Sequence, residues 1–207
     1  ATNTTVGHTS SINDSSINLT DVTGQYDYAG ATTIKEFRGQ TAANITDDIT
    51  FGGNLIISDA KSAINFGISH VTVSNDFTTN NGAMSFTVNT RDITGINQAS
   101  STNTGSAFVS VVNELDMTGS EKIHINYVGS LANNGSYTIV SAGVDSSSDY
   151  DQSEITGNLV TDNSFSIDTK VVEVIDGTTS DLVVYADRTS NGSYNANELY
   201  VQKSDTN

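Results

Sequence analysis

Short stretches in which apolar and polar residues alternate recur along much of the 207-residue chain. In KIHINYV (residues 122–128), the two isoleucines and the tyrosine fall on one face of an extended strand, and the lysine, histidine and asparagine fall on the other. In MSFTV (residues 84–88), Met84, Phe86 and Val88 share one face in the same way. This period of two predicts β-strands with one face buried in a core.

From residue 45 onward the pattern predicts a succession of short strands separated by turns. The turns are marked by pairs of residues that reach positive φ at low cost, namely Asn81-Gly82, Asn134-Gly135, Asp176-Gly177 and Asn191-Gly192. The predicted strands cover residues 48–51, 54–58, 63–68, 70–74, 83–90, 107–115, 122–128, 136–142, 164–175, 181–186 and 198–203.

Two segments read as copies of each other. Residues 49–59 (ITFGGNLIISD) and 64–76 (INFGISHVTVSND) both begin with an apolar-x-Phe-Gly group and end with Ser and Asp, and FTTNNGAMSFTVN (77–89) is a looser third copy. A repeat at an irregular spacing of about 13–15 residues, whose copies stack on one another, favours a β-solenoid. We therefore expect an all-β, right-handed parallel β-helix, with a β-sandwich as the alternative.

The two ends of the chain differ from its middle. Residues 1–42 are weakly apolar and without period, so they are predicted to be an irregular N-terminal arm or cap. Residues 43–160 are predicted to form the solenoid rungs, and 161–207 a C-terminal β cap. Within the cap, KVVEVIDGTTSDLVVYAD (170–187) predicts an antiparallel hairpin that covers the last rung.

Composition agrees with this fold. The chain has 18 Val and 17 Ile but 7 Leu, and β-branched residues suit a pleated surface. It has no proline, where an average chain of this length would have roughly ten. Every rung of a parallel β-helix donates backbone hydrogen bonds to its neighbours, which proline cannot do.

Charge narrows the choice of partners. The formal net charge is −16, from 8 basic and 24 acidic residues. Binding to nucleic acid needs clustered positive charge to neutralise phosphates, so nucleic acid is excluded as a partner, and anionic membrane surfaces are disfavoured.

No apolar run is long enough to predict a transmembrane helix, so no membrane insertion is expected. The absence of cysteine rules out disulfides and thiolate metal sites. Polarity that comes from Ser, Thr and Asn is typical of extracellular and bacterial cell-surface proteins.

Three C-terminal stretches resemble a known family: YVGSLANNGSYTIVSAG (127–143), ITGNLVTDNSFSIDTKVV (155–172) and SDLVVYADRTS (180–190). They are similar to the C-terminal passenger rungs of type V autotransporter surface proteins, of the rickettsial and alphaproteobacterial type. The resemblance covers roughly residues 122–190 and implies a secreted parallel β-helix that serves as an adhesin, coat or stalk. It implies no catalytic residues. The family's membrane β-barrel is missing from these residues, so the chain is expected to be either a passenger fragment or a free-standing surface subunit.

No catalytic constellation is found in the sequence. His8, His70 and His124 are far apart, and His70 and His124 are expected on the polar faces of strands. The Gly-x-Ser-x-Gly, P-loop and His-Glu-x-x-His motifs are absent. The sequence therefore predicts that the protein is not an enzyme. A polysaccharide-cleaving β-helix remains an alternative, and it would need converging carboxylates.

The acidic segment DSSSDYDQSE (145–154) is the candidate ion site. Asp145, Asp149, Asp151 and Glu154 offer the hard oxygen ligands that Ca²⁺ prefers. The segment lacks the spacing of a defined calcium loop, and the alternative is a solvated loop whose charges repel each other. Calcium is accordingly the one cofactor that the sequence suggests.

These observations favour a non-enzymatic surface module that assembles with itself or forms an adhesin stalk. Self-association is expected through the solenoid ends, or through the arm 1–42 adding a strand to a neighbour. The alternative is an adhesin fragment that binds a host or matrix glycan or protein through long turns such as 97–106 or 145–157.

Overall fold

A computed structural model describes residues 4–7, 17–19, 30–35, 43–93, 105–117, 122–129, 135–143, 159–162, 167–176 and 179–188. All regular secondary structure within these ranges is β-strand. Over the same ranges, the chain forms no helix of sufficient length and apolarity to cross a bilayer. The predicted all-β class is therefore confirmed.

Seventeen strands are present in the described ranges. In chain order they are β1 (Thr4–Gly7), β2 (Ile17–Leu19), β3 (Thr32–Lys35), β4 (Ala43–Ile45), β5 (Ile49–Phe51), β6 (Leu55–Ile57), β7 (Ala63–Asn65), β8 (His70–Val73), β9 (Phe77–Thr79), β10 (Ala83–Asn89), β11 (Phe108–Val111), β12 (Leu115–Met117), β13 (Lys122–Val128), β14 (Gly135–Gly143), β15 (Leu159–Asp162), β16 (Ile167–Asp176) and β17 (Thr179–Arg188).

The strands form three sheets. Sheet A has the order β1-β3-β6-β9-β12, sheet B the order β15-β13-β10-β7-β4-β2, and sheet C the order β16-β17-β14-β11-β8-β5. From β3 to β14 the chain visits sheets A, B and C in turn, four times over. We call each set of three consecutive strands a rung. Neighbouring rungs pair in parallel in all three sheets, an arrangement compatible with a β-solenoid.

The repeat is longer than the sequence predicted. Corresponding residues of successive rungs, such as Asn44 and Asn65 or Asn54 and Asp76, lie 21 and 22 residues apart. The predicted spacing of about 13–15 residues is wrong, because ITF lies in β5 of sheet C and INF begins in β7 of sheet B. The shared apolar-x-Phe-Gly pattern lies at the end of β5 in sheet C and at the end of β7 in sheet B, and in both places glycine begins the corner.

The core consists of apolar columns that run from rung to rung. In sheet B, Met84 pairs with Ile64 on one side and Ile123 on the other. The column is fully buried, as the alternation in MSFTV and KIHINYV predicted. The Phe66 ring joins the sheets, because it stacks on Phe86 at 5.0 Å between centroids and meets the edge of Phe77 at 6.1 Å.

Strand β14 is the junction between two kinds of pairing. It pairs in parallel with β11 and antiparallel with β17. β17 in turn pairs antiparallel with β16, from Ile167 opposite Arg188 to Asp176 opposite Thr179, which confirms the predicted hairpin. β13 and β14 do not form a hairpin with each other, because they belong to different sheets.

The described parts of residues 1–42 are strands that the sequence pattern did not reveal. β1 pairs in parallel with β3, and β2 with β4, so sheets A and B extend into this segment. They were missed because Thr-rich stretches such as TTVG and TTIK show little apolar alternation. The domain boundaries at 42 and 160 stay predictions, and residues 198–203 lie outside the described ranges.

Phe86→Ala tests whether this core holds the rungs together. Phe86 is fully buried and stacks on Phe66. We expect the change to lower the free energy of unfolding by about 3–5 kcal/mol, because it removes apolar contacts and leaves a cavity. Urea denaturation followed by far-UV circular dichroism measures this. The neighbouring Ser85→Ala, on the outward side of β10, should change stability by less than about 0.5 kcal/mol. Equal effects would contradict the assigned faces.

Candidate functional site

The predicted calcium ligands lie outside the described residues. Asp145, Asp149, Asp151 and Glu154 fall in the stretch between β14 and β15. Within the described ranges, no group of three or more His, Cys, Asp or Glu side chains is placed to hold a metal ion. The calcium site therefore stays a prediction from sequence.

The described histidines lie on two different sheets. His70 is on the outward side of β8, since Val71 and Val73 are buried. Its backbone N–H donates to Asp48 Oδ1 at 2.7 Å, and its ring meets the edge of Phe108, 6.3 Å away. His124 is on the outward side of β13 in sheet B. The expected polar-face placement of both residues is confirmed, and His8 lies outside the described ranges.

A polar cluster with a buried serine lies where the chain leaves sheet B for sheet C. The hydroxyl of Ser106 is fully buried, donates to Asp92 Oδ2 at 2.6 Å and accepts from the backbone N–H of Asn89 at 2.7 Å. It thereby joins the two ends of the segment 94–104. Because its two contacts tie together residues on either side of that segment, we call the arrangement the Asp92–Ser106 clasp.

Tyr137 adds an unusual group near this clasp. Its side chain is fully buried, and its hydroxyl has no hydrogen-bond partner within the described structure. Burial, together with the negative charge of Asp92, raises the pKa of the Tyr137 phenol above its ordinary value of 10.0. The phenol therefore stays protonated at neutral pH and cannot act as a base there.

A second polar cluster caps the corner between β6 and β7. Asp59 Oδ1 accepts from the Lys61 backbone N–H at 2.8 Å and from Ser62 Oγ at 3.0 Å, and Asp59 Oδ2 accepts from Ser58 Oγ at 3.3 Å. Partial burial opposes ionisation, but these hydrogen bonds and the charge of Lys61 together lower the pKa of Asp59 below its ordinary value of 3.8. The carboxylate is thus a fixed acceptor that shapes the corner.

Outside the core, the sheets present ladders of mostly polar residues. On sheet B, Asn65 Nδ2 donates to Asn44 Oδ1 at 3.1 Å, one rung away. On sheet C, Ser141 Oγ donates to Asp181 Oδ1 at 2.6 Å. Residues that pair across rungs form the ladders: Thr33, Ile56, Thr78 and Asp116 on sheet A, Asn44, Asn65, Ser85 and His124 on sheet B, and Thr50, Thr72, Ser110 and Ser141 on sheet C.

Sequence reasoning found neither the clasp nor the ladders. Asp92 and Ser106 are 14 residues apart and match no motif. The ladder residues were visible as mostly polar positions within strands, but their alignment depends on a register that the sequence did not reveal.

Comparison with protein-family models gives no match, and no curated protein or solved structure matches the chain.

The pH dependence of Asp59 is testable. Because its pKa is lowered on folding, its contribution to stability is full above pH 3.8 and is lost as pH falls through the folded value. We expect Asp59→Ala to lower the melting midpoint at pH 7, and we expect the gap to wild type to narrow below pH 3.8. Thermal melts at a series of pH values measure this, with the exposed Asp47→Ala as the control. A gap that widens in acid would refute it.

The calcium prediction has its own test. If Asp145, Asp149, Asp151 and Glu154 bind Ca²⁺, EDTA should lower the melting midpoint and excess Ca²⁺ should restore it, because an ion bound to the folded state stabilises that state. Replacing all four by Asn or Gln should abolish the response. An unchanged midpoint in EDTA with no rescue by Ca²⁺ would reject the site.

Proposed function

We propose that the protein is a non-enzymatic structural module of the extracellular space or the bacterial cell surface. In this proposal it is a right-handed β-solenoid that assembles with copies of itself into a layer, coat or filament, or that forms the stalk of an adhesin. The observation that carries the proposal is the repeated A-B-C order of parallel strands.

Parallel pairing between rungs supports the solenoid over the β-sandwich. In a β-sandwich, sheets are antiparallel and consecutive strands are joined by hairpins or Greek-key connections. Here the strands of successive rungs from β3 to β10 pair in parallel at a spacing of 20 to 23 residues. A chain that passes through three sheets before it returns to the first builds its core by stacking rungs.

The C-terminal hairpin supports the role of a cap. An exposed parallel edge in a sheet invites another chain to pair with it. β17 occupies the edge of β14 in the antiparallel sense, so in sheet C the next neighbour of the last parallel strand is a strand of opposite direction. In this proposal the hairpin limits uncontrolled addition of chains at this end.

The exterior supports a structural role as well. The outward ladders consist largely of Thr, Ser and Asn, which are small and neutral, and they give flat faces on which a neighbouring molecule can pack. The resemblance of residues 122–190 to autotransporter passenger rungs agrees with a location outside the cell.

Electron microscopy of the purified full chain tests the assembly. We expect ordered sheets or filaments, and isolated rods would favour the adhesin stalk instead.

Deleting residues 1–20 should weaken ordered assembly, because β1 and β2 form the ends of sheets A and B in the described structure. If the shortened chain folds and assembles as before, the N-terminal segment has no part in it. Compact particles without repeat would contradict the solenoid.

A further inference from the structure

Self-association of this chain meets an electrostatic barrier. Each copy has a formal net charge of −16, so two copies repel each other over most approaches. A contact between copies is favoured where carboxylates are absent or are met by positive charge. The inference below rests on the proposed self-assembly and asks which faces meet.

The outer side of sheet B is free of carboxylates over four consecutive strands. β4, β7, β10 and β13 contain no Asp or Glu, and the acidic residue of the sheet is Asp162 of the bordering strand β15, which pairs with Asn126. Lys122 is exposed on this side and makes no ion pair within the described residues, and His124 lies two positions further along β13. We call the outward residues of these four strands face B. They are half-buried or exposed, so solvent reaches them: Asn44, Ala63, Asn65, Ala83, Ser85, Thr87, Asn89, Lys122, His124, Asn126 and Val128.

The outer side of sheet A has the opposite character at its C-terminal end. Asp76 and Glu114 lie immediately before β9 and β12, and the backbone N–H of Phe77 donates to the Glu114 carbonyl, so these two rungs are adjacent. Asp116 is exposed at the centre of β12. We call these three carboxylates and the outward positions of β9 and β12 face A.

Faces A and B match in height as well as in charge. Asp116 in β12 and Lys122 in β13 belong to the same rung. Two copies that lie side by side with parallel axes and level rungs therefore bring Asp116 of one copy level with Lys122 of the next.

We propose that face B of one copy packs against face A of the next, with Lys122 opposite Asp116. The contact is heterologous, since two different surfaces meet. In a pair of copies, face A of one and face B of the other stay free to bind further copies. The array therefore grows side by side, unless the rotation between neighbouring copies closes a ring. An exposed ion pair adds little affinity by itself, so its main effect here is to select which faces meet and in which register.

A charge-swap experiment on the full chain tests this. Lys122→Glu and Asp116→Lys, each alone, place like charges opposite each other and should raise the concentration needed for ordered assembly by about fivefold or more. The double variant Lys122→Glu/Asp116→Lys restores an opposite pair and should return that concentration to near the wild-type value. Sedimentation and electron microscopy give both the concentration and the order of the assemblies.

Controls separate this inference from the proposed function. Arg91→Glu makes the same change in net charge as Lys122→Glu, but it lies in the turn after β10 and should leave assembly unchanged. Circular dichroism checks that each variant folds, and Lys122→Gln offers a milder change at the same exposed position. If wild type assembles but the single variants assemble equally well, or the double variant is no better than either, the face assignment is wrong and self-assembly stands. If wild type never assembles, both fail.

Discussion

The parallel backbone hydrogen bonding between successive rungs is the constraint on which the rest of this structure depends. Neighbouring strands of a sheet lie about 4.8 Å apart, so corresponding residues of successive rungs must stack almost directly on one another. An inward position is then surrounded by its equivalents above and below, as Met84 is by Ile64 and Ile123. One polar residue in such a column affects two neighbours at once, which explains why inner positions are largely Ile, Val, Leu and Phe.

The backbone pairing between rungs also limits which residues can occupy the corners. At the corner before sheet A, Gly53 lies so close to Gly30 that a Cβ atom would come within 2.6 Å of the Gly30 carbonyl carbon. One rung later the equivalent position is Asn75, which is exposed and carries a side chain. The rungs are therefore not identical copies: strand pairing is preserved, while the corners vary in width.

Much of the fold could be predicted from local sequence, because alternation of apolar residues reports directly on strand and face. The buried sides of β10 and β13, and the β16–β17 hairpin, follow from that signal. The three-residue strand FTT of β9 did not, because it contains one alternation and places a threonine inside. The period of the repeat could not be predicted either, since Phe51-Gly52 at the end of β5 in sheet C and Phe66-Gly67 just after β7 in sheet B imitate a shorter repeat. Likewise, the Asn134-Gly135 pair has the sequence of a hairpin turn, but the strands β13 and β14 on either side belong to different sheets. The Asp92–Ser106 clasp depends on tertiary contact alone.

Strand β14 has a consequence for how such a chain changes in length. Upstream of it, the addition or loss of one rung preserves every pairing, because parallel strands of the same direction succeed one another in all three sheets. The extra residues between β10 and β11 show that such a rung tolerates insertions at its corners. Downstream of β14, sheet C continues with a strand of opposite direction, and an added rung would have no matching partner there. Gene duplication can therefore lengthen the molecule upstream of β14, while the β14, β17 and β16 pairing is inherited unchanged.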